Sequence, residues 1–494
     1  MLSEQGEAGQ VPIAARIPRR SGRILRRRRG VCGTVMGPMR IAWFSPLPPD
    51  QSGIAAYCAE LLPLLARSHA IEAFVDDGGG RAAVGRVRPI PGVRVHGAHD
   101  FPWRQALQPF DAIVYQLGNQ LCHNYMWPYM VRWPGVVVLH DGQVHHARAA
   151  GLIDQGRGRD YRAEFAYSHP GAPRELHEFV ISGWGAMLPS LFFEHPMVRV
   201  PVESARIAAV HNPLLAGELQ EMVPGAAVTA IRQGVRDLTA GVAPPSALRA
   251  RLGIPPGAVV FAAYGRATPE KRLTPVMKAM GQLAAPGTGP QPWLVCVGAT
   301  ADYYDVRQEA AAAGLSDRFV ITGYVDDADL GAYLALADAC LCLRWPSGRE
   351  TSASWLRCLA AGKPTIISGL AHLTGVPAID PRSMQAVPLG NVPADARDPL
   401  AMLVELTDEI HMLKRALRHL TEQAPLRARM GRAARAWWAA HATVDLMAED
   451  YEALLERART APPNPHPAWP AHLVADGAER ARAIAGQMGV TLDW

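Results

Sequence analysis

From Arg40 onward the chain alternates short apolar runs with Gly- and Pro-rich turns and helical stretches, in two successive blocks. In the first block the runs are IAWFS (41–45), DAIVYQLGN (111–119), GVVVLHD (135–141), SARIAAVHN (204–212) and AAVTAIRQGV (226–235). They are continuously apolar and several end in polar residues. Strands buried on both faces read this way, because crossover helices cover both sides of a parallel sheet. The second block restarts with AVVFAAYG (258–265), WLVCVGA (293–299), RFVITGYV (318–325) and ACLCLRW (339–345). The pattern predicts an α/β protein with two doubly wound, Rossmann-like parallel sheets facing a cleft.

Length supports two cores, since 494 residues exceed what one ordinary core organises. An apolar fraction of 49% with 19% charged residues excludes a largely disordered chain. The uncharged run Val180–Phe193 is too short to span a bilayer and is broken by Gly183, Gly185 and Pro189. The seven cysteines (32, 58, 122, 296, 340, 342 and 358) show no metal-ligand spacing and read as reduced thiols of a cytoplasmic protein. The net charge of +5 is local. Residues 1–36 carry eight arginines and two glutamates, a net +6, which leaves −1 for the remainder. Residues 1–38 read as a disordered basic extension; a sharper alternative is an arm held peripherally at an anionic membrane surface. Nucleic acid is not expected, because no other basic stripe with interleaved aromatics occurs. Around 237–256 a linker leads into the second block, and long amphipathic helices fill the end of the chain.

The chemistry concentrates at strand ends. LRWPSGRETSASWLRCLAAGKPTIIS (343–368) is strand, polar turn, helix and strand, with a helix start read at Glu350, Thr351 and Ser352. Free backbone N–H groups and the helix dipole make such a turn a phosphate site. In YGRATPEKR (264–272) Arg266 and Lys271 sit across a Thr-Pro turn, with charges suited to a diphosphate. Fixed cations of this kind stabilise a leaving group that gains charge, which is a metal ion's work. The acidic spots Asp302/Asp305 and Asp326/Asp327/Asp329 read as helix caps and turns, so no metal is expected. Asp141, His145 and His146 have zinc-compatible spacing, but no Glu base or distant third ligand accompanies them.

The loop at 348–364 resembles that of glycosyltransferase family 4, in the branch reading GETS-x-x-LLRALA-x-GKP. YGRATPEKR is similar to its GR-x-x-PEKR element. PLPPDQSGIAAY (46–57) and YQLGNQLCHNYMWPYM with PGVVVLHDGQVHH (115–146) resemble its first-half motifs. The resemblance covers about Arg40 to Ala458 and implies a GT-B fold and a retaining, metal-independent hexosyl transfer from a nucleotide-diphosphate sugar to an acceptor hydroxyl. No further cofactor is implied. It divides the chain into an acceptor-binding domain at 39–240, a nucleotide-sugar-binding domain at 241–440, and C-terminal helices at 441–494 that pack back toward the first domain.

The same resemblance implies roles for named residues. His140 touches the transferred sugar, and Arg266, Lys271 and Glu350 complete the catalytic set. Gly53, Arg266, Lys271, Glu350, Thr351, Ser352 and Arg357 hold the donor, with Gly53 letting backbone approach a phosphate. Asn119, His123, Asp141 and His145, with His146, line the acceptor pocket. Three positions depart from the pattern. Arg357 stands where the commoner family form has a ribose-binding Glu, Ala56 replaces an Asp, and Asn212 replaces a Ser. The acceptor is expected to be a glycan or lipid-linked glycan in cell-surface polysaccharide synthesis. A nucleotide-sugar epimerase or hydrolase, or a non-catalytic sugar-binding relative, would use the same fold. A dinucleotide dehydrogenase is set aside because no G-x-G-x-x-G follows the first strand.

Overall fold

The structure is a computed structural model describing residues 37–78, 84–283, 291–373, 375–387, 398–464 and 468–490. Residues 1–36, which hold the basic arm, lie outside them. Fourteen strands among the described residues form two parallel sheets of seven. The first holds β1 (Arg40–Phe44), β2 (Ala70–Val75), β3 (Val93–Gly97), β4 (Ala112–Leu117), β5 (Val136–Leu139), β6 (Ile207–Val210) and β7 (Val228–Ala230). The second holds β8 (Val260–Tyr264), β9 (Trp293–Val297), β10 (Phe319–Ile321), β11 (Ala339–Cys342), β12 (Thr365–Ser368), β13 (Ala378–Ile379) and β14 (Ala401–Val404).

The orders are β3-β2-β1-β4-β5-β6-β7 and β10-β9-β8-β11-β12-β14-β13. Each sheet therefore grows outward from its first strand in both directions and changes direction between β1 and β4, or between β8 and β11. Such a switch point opens a crevice at the carboxyl edge, where open α/β sheets bind ligands. The α/β expectation of two doubly wound sheets is met.

Strand interiors are buried on both faces. Ile41, Ala42, Trp43 and Phe44 of β1 show no exposed surface, nor do Val260, Phe261 and Ala262 of β8. Two apolar runs are shorter as strands than they read. After β10 the chain turns at Gly323 (φ 74°), where Gly298 and Gly323 form an isolated antiparallel bridge. After β7, residues 231–235 leave the sheet; the Val235 N–H donates to the Ala442 carbonyl at 3.0 Å, and Gly234 lies against Thr443 backbone. This linker runs beside the returning C-terminal chain, which takes the hydrogen bonds a longer strand would have made.

The C-terminal helices divide between the sheets. Glu409–Glu422 buries Met412, Leu413, Ala416, Leu417 and Leu420 in the second core. Val444–Thr460, capped by Thr443 on the Leu446 N–H, buries Met447, Tyr451, Leu454 and Leu455 in the first. Each fully buried aliphatic side chain contributes about 1.5–3 kcal/mol. Between β5 and β6 lies an excursion of five α-helices from His145 to Ser204, which the strand pattern did not reveal.

Candidate functional site

The second sheet's carboxyl edge contains a small cavity of about 50 Å3. Its polar lining is Lys271, Arg344, Ser347, Glu350, Ser352, Ser354 and His372, against apolar Leu343, Trp355 and Leu373. Ser352 is the N-cap of the helix Ala353–Ala360 and accepts the Trp355 N–H at 3.2 Å. Glu350 and Thr351 thus precede the helix and do not open it. Arg344 follows β11 directly, and its Nε lies 2.9 Å from Glu350 Oε1. Ser347 donates to the other carboxylate oxygen at 3.0 Å, so Glu350 is held from both sides. Lys271 Nζ donates to the Tyr264 carbonyl at the end of β8. Burial, and then the positive Arg344 beside it, lowers its ammonium to about 8. The Trp345 N–H donates to the Glu270 carbonyl at 2.8 Å, which ties the two cationic turns together.

Arg266 is placed differently. Its side chain is 58% exposed and its guanidinium lies 3.9 Å from Asp302, outside the cavity lining. Lys271's companion cation in the cavity is Arg344, which lies in the 343–368 segment ahead of the Gly-Arg-Glu-Thr-Ser turn and carries no local signature of its own.

The first sheet's edge is assembled from buried neutral groups. His140 Nε2 donates to Gln116 Oε1 at 2.7 Å, and Gln116 Nε2 donates to the Tyr451 hydroxyl at 3.0 Å. Tyr57 also donates to Tyr451, at 2.8 Å. The chain of bonds fixes the His140 tautomer, leaving Nδ1 as the lone-pair nitrogen. Burial, then neighbouring His211 and His123, holds the imidazole well below its usual range, so it stays neutral. His123 donates Nδ1 to the Gln116 carbonyl at 2.9 Å, and burial pushes it down to about 4. Tyr451 belongs to the C-terminal helix, and nothing local in its sequence marked it.

The remaining candidates disperse. Asn119 accepts the Ala147 N–H at 2.9 Å on its side chain, while its own N–H donates to Asp141 at 3.0 Å. It braces two segments. His145 shows no exposed surface; it bonds Tyr161 at 2.8 Å and packs on Phe165 and Phe192. Burial drives it down to about 3. His145 therefore belongs to the core of the helical excursion, enclosed by Tyr161, Phe165 and Phe192, with no exposed surface to offer an acceptor. His146 is exposed and stacks on Phe192 at 4.8 Å. Gly53 starts the helix Gly53–Leu65 behind N-cap Ser52, with open space where a side chain would point.

The two edges meet in a seam. The Gly142 N–H donates to the Gly348 carbonyl at 2.7 Å, and a methyl group on Gly142 would lie 2.1 Å from that oxygen. Asn212 donates to the Arg349 carbonyl at 2.7 Å while also capping the helix Pro213–Met222. Arg349 holds a left-handed backbone (φ 59°), and its guanidinium reaches Glu218 at 2.7 Å. Thr351 donates to the His211 carbonyl at 3.1 Å. Arg357 is not in the cavity lining; it pairs with Glu60 of the first lobe at 2.9 Å, both about nine-tenths buried. Asp141 abuts the seam. Burial, and then Glu350, raises its carboxyl to about 6. Among the described residues no three His, Cys, Asp or Glu side chains are gathered as metal ligands.

With this geometry established, comparisons with known proteins bear on it. Residues 246–371 match the family model described as glycosyl transferases group 1, and this stretch contains the whole cavity lining except His372 and Leu373. The 2-deoxystreptamine glucosyltransferase of Streptomyces kanamyceticus is 30% identical over 168 residues, which are 32% of this chain and 42% of that protein. The match thus spans less than half of that relative. Sucrose-phosphate synthase from Thermosynechococcus elongatus superposes with a TM-score of 0.57 at 16% identity, covering 85% of this chain and 98% of the other. Anabaena HepE in complex with UDP and glucose gives 0.56 at 15%, covering 85% and 99%. At such identities the likeness is one of fold, and that fold is the two-sheet GT-B architecture.

Proposed function

We propose that this chain is a retaining glycosyltransferase of family 4 that moves a hexose from a nucleotide-diphosphate sugar to an acceptor hydroxyl. The domain at 241–440 binds the donor, the domain at 39–240 binds the acceptor, and the helices at 441–494 return to the first domain and complete its site through Tyr451. The observation that carries the reading is the cavity at the second sheet's carboxyl edge. There Lys271 and Arg344 stand beside a capped helix start, joined by a seam to the neutral His140 cluster. The matched family segment and the UDP and glucose held by HepE support the same reading.

Lys271, Arg344 and the N–H groups at the start of Ala353–Ala360 receive the diphosphate. Charge grows there as the sugar bond breaks, so these groups favour the transition state over the ground state. His140 offers Nδ1 to a sugar hydroxyl as an acceptor, which its fixed tautomer requires. Glu350, already tied to Arg344 and Ser347, positions the cation and the sugar. The acceptor hydroxyl attacks on the face the diphosphate leaves, and the departing phosphate oxygen takes its proton. Configuration is thereby retained without a covalent intermediate. Transfer is expected to persist in EDTA. Cell-surface glycan synthesis at the cytoplasmic face of a membrane fits a glycan or lipid-linked acceptor; no helix among the described residues is long and apolar enough to cross a bilayer.

Sites for ligands of this size enclose roughly 300–1,000 Å3, far more than the 50 Å3 found. Donor entry therefore requires the cavity to widen. The test is a thermal-shift screen with UDP-, GDP- and ADP-sugars, since a ligand at 100 times its Kd adds about 2.7 kcal/mol to the folded state. One nucleotide class should raise the melting temperature by several degrees in wild type and not in Lys271→Ala. No shift with any of them would overturn the reading.

A further inference from the structure

We propose that a groove on the flank of the first lobe, distinct from the residues first singled out for the acceptor, binds the acceptor as a neutral, hydroxyl-rich oligosaccharide. The inference rests on the glycosyl-transfer reading and names the substrate class that reading leaves open.

Size is the first observation. The groove encloses about 640 Å3, within the range of ligand sites and more than ten times the donor-edge cavity. Its walls come from segments remote in sequence: the end of β2, the turn Leu121–Met126, the helices Trp127–Arg132 and His145–Ile153, and the C-terminal segment at His472 and Leu473.

The floor is rigid and charged. Arg148, 6% exposed, forms a two-point pair with Glu164 and lays its guanidinium 4.1 Å from the centre of the Trp127 ring. His472 Nε2 reaches the same Glu164 at 2.7 Å, so the C-terminal segment is fastened to the floor and forms part of the wall. At the rim, the carboxylate of Asp154 and the amide of Gln155 are exposed and make no side-chain hydrogen bond. Asp76 is exposed on the same rim and accepts only its own loop's Gly78 N–H.

That composition selects a ligand. Arg148 is answered by Glu164 and Arg157 by Asp160 at 2.8 Å, while Arg132 donates to the Pro128 and Ala475 carbonyls and has no carboxylate partner among the described residues. Against that one arginine stand the carboxylates of Asp154 and Asp76, so an anionic ligand would meet more uncompensated negative than positive charge. A sugar chain suits the site: free carboxylates and an amide bind its hydroxyls, and apolar Leu152, Leu473 and Tyr125 meet its C–H faces. The location also serves the reaction. The turn Leu121–Met126 forms one wall, and Asn119, two residues earlier, bonds Asp141 beside His140.

The experiment uses the full chain and an array of defined neutral and anionic oligosaccharides of one to six sugars. Wild type, Asp154→Ala and Gln155→Trp are compared, with melting curves to confirm that both variants fold. Wild type should retain neutral chains of two or more sugars, and both variants should lose at least tenfold in affinity, with the nucleotide-sugar thermal shift unchanged. No retention by wild type, retention undiminished in both variants, or retention of anionic chains only would overturn the proposal. Retained oligosaccharide without any nucleotide shift would sustain the groove and sink the donor reading; the reverse would do the opposite.

Discussion

The two lobes share a sheet plan yet build their facing edges from opposite materials. The second sheet's edge is ionic: Arg344 and Glu350 hold each other in place with Ser347, and Lys271 stands beside them on the Tyr264 carbonyl. The first sheet's edge is neutral: His140, Gln116, Tyr57 and Tyr451 form a chain of hydrogen bonds beneath the surface. An ionic edge can answer charge that moves during a reaction. A buried neutral network cannot, but it holds one tautomer and one orientation, since leaving any member unpaired costs about 1–3 kcal/mol. Under the proposed function, charge stabilisation falls to one lobe and positioning to the other.

The sharpest way to break this contrast is Lys271→Ala. Losing a cation aimed at the leaving group is expected to lower kcat at least 100-fold, with an unchanged melting temperature within a few degrees. Full activity would remove the ionic edge from the chemistry. Next is Gly142→Val. A side chain there meets the Gly348 carbonyl oxygen, so the lobes must separate, and small-angle scattering should report a larger radius of gyration. An unchanged radius would show that the seam is not set by this contact.

Third is the Glu60–Arg357 pair. Each partner alone mutated to Ala leaves a largely buried charge, at about 3–5 kcal/mol, whereas the double variant should recover much of the loss. Chemical denaturation of the four proteins gives the coupling; additive losses would mean that the pair does not bind the lobes.

Smaller effects follow from titration. The Asp141 carboxyl holds its proton up to about 6 in the folded chain, against 3.8 as its ordinary value. Folding is therefore penalised as pH rises from about 4 through about 6, and Asp141→Asn should stabilise the protein at pH 7 but not at pH 4. Equal effects at both would show that the Asp141 carboxyl is not raised in the folded chain. Finally, Lys271 loses its charge as pH rises through about 8. Donor KM should climb above that pH in wild type and less so in Lys271→Arg.

Much of the second lobe was legible in the chain because its site is local. Lys271, Arg344, Glu350 and Ser352 lie in two short segments, each at a strand's end, and a capped helix start carries its own signature. Arg266 shows the limit of that method: spacing placed it beside Lys271, but the turn directs it outward to Asp302. The first lobe was harder. The resemblance gives His140 the sugar and His145 a place in the acceptor pocket, whereas packing buries His145 among Phe165 and Phe192. Arg357 is a similar case, since helix position alone could not reveal that its partner is Glu60, 297 residues earlier.

The sequence by itself determined the two parallel sheets, because continuous apolar runs separated by helices are stable only when buried on both faces. It also determined the cationic turns of the second lobe, because strand, turn and capped helix are set by neighbours in the chain. Tertiary structure alone decided that His145 is packed in the helical core, that Tyr451 closes the hydrogen-bond chain from His140, and that Arg357 joins the lobes. These depend on contacts between residues hundreds of positions apart, and burial rather than local spacing selects them.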